Sequence, residues 1–185
     1  MAISPSTNWE NSPGNLEAKK MHSKTMTPNN ISTKADARGA IKGLAGKKCW
    51  KAGFAYGGEL HLHFGAHVPC SNPRMAGRTK GSWRLGTCGT SWTLLTPNGK
   101  VTSGRGEKKL ESSIKSVEGA TVRRCHVKGR ILTIGFDNEC TLLIIPTAED
   151  DKYEDVPYWE LFMPRHMMVA FGPGNAWSYR RSDDG

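Results

Sequence analysis

Long apolar runs are missing from this chain. Nowhere in its 185 residues do eighteen consecutive apolar side chains occur, so no segment is a candidate membrane-spanning helix. The opening stretch, MAISPSTNWENSPGNLEAKK, lacks the apolar centre of a signal peptide, and the expected location is cytoplasmic. Cysteine is scarce and unpatterned: Cys49, Cys70, Cys88, Cys125 and Cys140 contain no C-x-x-C pair. An odd number without paired spacing argues against a disulfide framework and against a zinc ribbon, and leaves buried thiols as the expectation. A G-x-S-x-G elbow, a Walker loop and an H-E-x-x-H helix are also absent. No catalytic residue is therefore assigned, and no cofactor is expected.

Turn-forming residues, by contrast, are abundant: 21 Gly and 10 Pro favour β-structure over a helix bundle. The length suits one ordinary domain, or two small modules sharing a core. The net charge of +9 is unevenly spread, because residues 41–114 carry twelve basic and three acidic side chains whereas residues 115–185 carry nine and eleven. The excess positive charge thus belongs to the middle of the chain.

Residues 1–40 are rich in Ser, Thr, Asn, Pro and Lys with no sustained apolar period. Such a segment buries too little apolar surface to offset its ordering entropy, so it reads as a disordered tail that turns helical near KADARGAIKGL. Beyond it the chain repeats itself. IKGLAG at residues 41–46 matches IKSVEG at residues 114–119, and Leu60, Leu62 and Phe64 fall on Leu132, Ile134 and Phe136. The block opening at Trp92 falls on the one opening at Trp159, pairing Pro97 with Pro164 and Gly104 and Gly106 with Gly172 and Gly174. Alternating apolar residues flank a Gly-Gly turn in the first copy and a Lys-Gly turn in the second, a hairpin signal.

The expected fold is mostly β: two tandem, pseudo-twofold-related antiparallel β modules, residues 41–106 and 119–185, sharing one core. Residues 107–118 form a linker with a short helix, since Leu110 and Ile114 are spaced by four. The core is expected to hold Phe54, Leu60, Leu62, Phe64, Trp92 and Leu94 from the first copy. Val127, Leu132, Ile134, Phe136, Trp159 and Leu161 are their counterparts in the second.

Phe136, Asp137, Trp159, Glu160, Leu161, Pro164, Val169 and Gly172 to Gly174 make up a strand ending in Phe-Asp and a closing W-E-L-x-x-P … G-P-G block. This pattern resembles that of uncharacterised small bacterial proteins with a duplicated β-hairpin module, some of which look like immunity proteins of toxin systems. The resemblance covers roughly residues 41–180 and implies the fold but no activity, and the basic first half departs from the immunity-protein pattern.

Three surface features are candidates for chemistry. On a strand, His61 and His63 share one face while Leu60, Leu62 and Phe64 share the other. A His-x-His pair with His67 or Cys70 nearby is a weak metal-site candidate, for it lacks a partner at fixed spacing. The basic stretch CSNPRMAGRTKGSWRLGTCGTSW, read as a loop, offers Arg74, Arg78, Lys80 and Arg84 with Trp83, and Trp50 lies beside Lys47, Lys48 and Lys51. Cations interleaved with aromatic rings suit a phosphate backbone and an unstacked base. Residues 149–160 carry six carboxylates, which either keep a loop soluble, bind a basic partner, or pair with the basic stretch of a second chain in a homo-oligomer.

The leading expectation is a non-catalytic binding protein whose partner is another protein, in the manner of an immunity protein or inhibitor. The runner-up is a nucleic-acid binder using Trp50, Arg74, Arg78, Lys80, Trp83 and Arg84. A metal-dependent enzyme at His61 and His63 ranks third.

Overall fold

Alternation of apolar and polar side chains builds the strands, because successive residues of a strand point to opposite faces and one face must be dry. The computed structural model describes residues 34–55, 58–103 and 107–182. Residues 1–33 of the expected tail, Gly57 of the Gly-Gly turn, and Gly104 and Gly106 lie outside them. In chain order the elements are α1 (Lys34–Lys42), β1 (Cys49–Phe54), β2 (Leu60–Pro69), β3 (Thr79–Thr87), β4 (Trp92–Thr96), β5 (Gly99–Thr102), α2 (Glu107–Ile114), β6 (Val122–Lys128), β7 (Ile131–Phe136), β8 (Thr141–Ile144), β9 (Trp159–Met163), β10 (Met167–Phe171) and β11 (Trp177–Arg181).

The strands form two antiparallel sheets, one ordered β1-β2-β3-β9-β10-β11 and the other β5-β4-β8-β7-β6. The meander β1-β2-β3 thus receives the hairpin β9-β10, and the meander β6-β7-β8 receives the hairpin β4-β5. At the first junction Leu85 lies opposite Leu161 and Thr87 opposite Trp159; at the second Leu142 lies opposite Leu94 and Ile144 opposite Trp92. The sheets are stitched where residues 46–49 meet residues 119–122. There Cys49 donates to Ala120 O, Val122 to Lys47 O, Gly119 to Cys49 O and Gly46 to Val122 O, all at 2.7–2.9 Å.

Between the sheets lie Leu60, Leu62, Phe64, Leu85, Trp92, Leu94, Leu132, Ile134, Leu142, Trp159 and Leu161, each at most 1% exposed. Each such burial stabilises the fold by about 1.5–3 kcal/mol relative to exposure. Phe54 and Val127 are only partly buried against this core. Cys49, Cys125 and Cys140 are buried free thiols, as expected, whereas Cys70 and Cys88 are half-buried. Burial holds Cys49 and Cys125 as thiols by pushing each up to about 12.

Two helices cover open flanks of the sheets. α1 packs across β6 and β11, burying Ala37 and Ile41, while α2 and the turn after it pack on β1 and β5, burying Leu110, Ile114 and Val117. Both helices thereby sit on edge strands, whose unpaired backbone groups would otherwise template pairing with another chain. At β1 the cover is explicit: Ala52 N–H donates to the Glu118 carboxylate at 2.8 Å. The tail expected over residues 1–40 therefore ends in a packed helix. Residues 79–87, expected in a loop, are instead found as β3. No helix among the described residues is long and apolar enough to cross a membrane.

Candidate functional site

Two irregularities in neighbouring strands shape the outer face of the six-stranded sheet. Between the pairs Cys49–Phe64 and Lys51–His63, β1 has one residue more than β2, and that residue is Trp50. Between Phe64–Trp83 and His67–Gly81, β2 has one residue more than β3. A bulge re-aims the side chains around it. Gly65 makes the second bulge with φ 72°, and a Cβ there would stand 2.6 Å from Ser82 Oγ. The result is that the His67 ring stacks on Trp50 with centroids 3.8 Å apart, and His63 meets the same indole edge-on at 5.2 Å.

Beside this stack the strands align a row of charge. Lys51 of β1 lies opposite His63 of β2, which lies opposite Arg84 of β3. With the loop of residues 70–78 as a wall, they line a cleft of about 980 Å³ that also takes in Trp50, His61, Arg78 and Lys80. Neither Asp nor Glu is among the described residues lining it. Lys51, Arg78, Lys80 and Arg84 thus gather positive charge along one cleft, and a low-dielectric wall focuses such a field. The wall is held by a short turn at Pro73–Met75, capped where Asn72 Oδ1 accepts from Arg74 N–H at 2.9 Å.

The histidines respond to this field. His63 is pushed down to about 4, first by burial and then by Lys51, His61, Arg84 and His67; His61 is lowered by burial and by Lys51. His63 is therefore neutral near pH 7. Its Nδ1 accepts a hydrogen bond from Gly81 N–H at 3.1 Å, so the ring proton sits on Nε2. A metal at Nε2 would need that lone pair and would force a proton onto Nδ1, against the Gly81 N–H. This geometry suits a neutral hydrogen-bond donor rather than a metal ligand. No group of three His, Cys, Asp or Glu among the described residues is placed to hold a metal ion. Gly81 itself admits no side chain, since a Cβ would fall 2.6 Å from Trp83 O and 2.7 Å from Phe64 N.

The residues singled out from the sequence divide cleanly. Trp50, Arg78, Lys80 and Arg84 line the cleft together with His61 and His63, whereas Arg74 sits on the exposed wall outside it. Trp83 is not in the cleft. It lies on the opposite face of β3 from Lys80 and Arg84, packed on the core, with its ring over Gly43. Lys51 is the cleft residue that was read only as an extension of the basic surface, and its place opposite His63 was not legible without the β1–β2 register. Arg84 also covers the Phe162 ring at 4.4 Å.

Glu149, Asp150 and Asp151 of the acidic stretch are engaged within the chain. Asp150 accepts from Thr147 N–H and hydroxyl at 2.6 and 3.0 Å. Asp151 accepts from both Arg130 guanidinium nitrogens at 2.9–3.0 Å and from the Tyr158 hydroxyl, and Arg130 stacks over the Tyr158 ring at 4.9 Å. Glu149 pairs with Lys152. These contacts hold the loop between β8 and β9.

No protein-family model, curated protein or solved structure matches this chain.

Proposed function

We propose that this protein is a non-catalytic binding protein that holds nucleic acid in the basic cleft of its six-stranded sheet. The observation that carries this reading is the convergence of Lys51, Arg78, Lys80 and Arg84 around Trp50, with no carboxylate among the described residues lining the cleft. A phosphate chain would meet that positive charge and release its own counterions. His63 Nε2–H adds a neutral donor, and the indole adds a face for a base.

We further infer that the fold is a duplicated module with a pseudo-twofold axis, built from residues 41–106 and 119–185. Several features support it. The stitch between the sheets maps onto itself when Cys49 is exchanged for Val122 and Ala120 for Lys47, and again when Gly119 is exchanged for Gly46. The β1 bulge at Trp50 has its counterpart in β6 at Arg123, between Val122–Phe136 and Arg124–Gly135. Function in a duplicated scaffold belongs where the copies differ. The counterparts of Trp50, His61 and His63 are Arg123, Thr133 and Gly135, and the loop that walls the cleft, residues 70–78, is shortened to residues 137–140 in the second half.

The test is fluorescence-anisotropy titration of labelled single-stranded RNA and double-stranded DNA across a salt series. A variant with Lys51, Arg78, Lys80 and Arg84 changed to Ser is compared with a control carrying Arg123→Ser and Arg124→Ser. Four phosphate contacts to a single strand predict a log–log salt slope of about −3, lost in the first variant and kept in the control. Equal slopes in both variants would sink the reading. Saturable binding of an acidic protein by the same four residues, with no binding of nucleic acid, would instead favour the immunity- or inhibitor-like role.

A further inference from the structure

A second cleft of about 320 Å³ adjoins the first and shares Ser71, Lys80 and Arg84 with it. Val68, Phe162, Met163 and Met167 give it an apolar lining, and Arg165 and His166 stand at its far side. Those two residues form the turn between β9 and β10, and both adopt left-handed backbone, with φ 63° and 57°. That conformation is costly for residues other than glycine, and it persists only where the surroundings enforce it, commonly at ligand clamps. Here the turn is pinned by Ser182 N–H, which donates to His166 O at 2.6 Å. Both side chains are exposed.

We propose that the bound ligand is a single strand whose backbone crosses from the first cleft into the second, gripped at the junction by Lys80 and Arg84 and at the far end by Arg165. This rests on the nucleic-acid reading above and adds strand state and polarity of contacts to it. The two clefts alternate cations with ring or apolar surface: Trp50 in the first, Phe162, Met163 and Met167 in the second. A single strand presents unstacked bases and phosphates in the same alternation, whereas a duplex offers phosphates alone to such a face. Arg84 lines both clefts and lays its guanidinium over the Phe162 ring, joining charge to ring surface at the junction.

The experiment compares thymidine oligomers of about 4 and about 12 nucleotides, which bracket the site size of comparable single-strand grooves, with a base-free 12-unit phosphodiester strand and a 12-base-pair duplex. The proteins are the wild type and a variant carrying Arg165→Asn and His166→Asn, since Asn tolerates left-handed backbone. The expected result is at least tenfold tighter binding of the long oligomer than of the short one or the base-free strand. The variant should bind the short oligomer as the wild type does, lose most of the gain with length, and show a salt slope shallower by about 0.7. Thermal melts of both proteins verify that the turn still folds. If short and long oligomers bind the wild type alike, or the variant keeps the full gain, the second cleft plays no part. A base-free strand or duplex that binds as tightly as the long oligomer overturns the single-strand assignment while leaving the basic cleft standing. Failure of every strand to bind the wild type overturns both readings together.

Discussion

At the scale of single residues, His63 links the backbone to the site. Its Nδ1 is satisfied by Gly81 N–H, and burial first, then its neighbours Lys51, His61, Arg84 and His67, oppose a second proton on its ring. The folded-state value near 4 lies below the usual 6.5 of an unfolded chain. Above pH 6.5 the ring is neutral in both states and the stability it secures is fully present. As pH falls from 6.5 towards 4 the unfolded chain takes up the proton first, so that stability is progressively lost. Thermal melts between pH 7.5 and 4.5 are expected to show this decline. It should be shallower in His63→Gln, whose amide oxygen still accepts from Gly81 but does not titrate. Saturating polyanion should oppose the decline in the wild type, since a bound anion favours the imidazolium. A variant that declines as steeply as the wild type would mean that His61, also lowered, or the carboxylates set the acid limit.

At the scale of elements, the matched bulges in β1 and β2 bring Trp50 and His67 into contact. Replacing the indole with an aliphatic side chain removes a ring and no charge. Trp50→Leu is therefore expected to weaken binding of single strands by about tenfold, in the range of one lost base–aromatic stack, while leaving the slope of affinity against salt unchanged. Anisotropy at three salt concentrations separates the two quantities. A change in slope with little change in affinity would assign Trp50 to positioning the loop wall instead. The strands themselves were largely legible, because Leu60, Leu62 and Phe64 and their counterparts Leu132, Ile134 and Phe136 alternate strictly. β3 was not. Its inward positions are Gly81, Trp83, Leu85 and Thr87, and its outward ones are Lys80, Ser82, Arg84 and Gly86. Two glycines and a threonine blur the apolar period, so the stretch read as a loop and Trp83 read as exposed.

At the scale of the whole molecule, two helices at sheet edges hold the architecture closed. Ile41 of α1 and Ile114 of α2 are at most 1% exposed, and in the repeat alignment they are the same position. Truncating either leaves a cavity at the junction of a helix and two edge strands. Ile41→Ala and Ile114→Ala are each expected to cost about 2–5 kcal/mol in urea unfolding, with an unchanged dependence on denaturant. A loss confined to one of them would show that one helix is a peripheral cover and would weigh against equal roles for the two halves. If either variant forms dimers or higher species by size-exclusion chromatography, the uncovered strand edges have begun to pair between chains.

The sequence alone determined the β-character, the buried face of most strands and the residue types of the basic surface. Each of these is carried by local period, turn chemistry or composition. Tertiary structure alone decided that the hairpin β4-β5 joins β8 while β9-β10 joins β3, and that Lys51, Arg78, Lys80 and Arg84 meet around Trp50 while Trp83 turns inward. Strand pairing is a non-local choice: any open edge offers the same backbone donors and acceptors. Which edge is taken follows from the burial summed over both sheets, a quantity that no window of sequence contains.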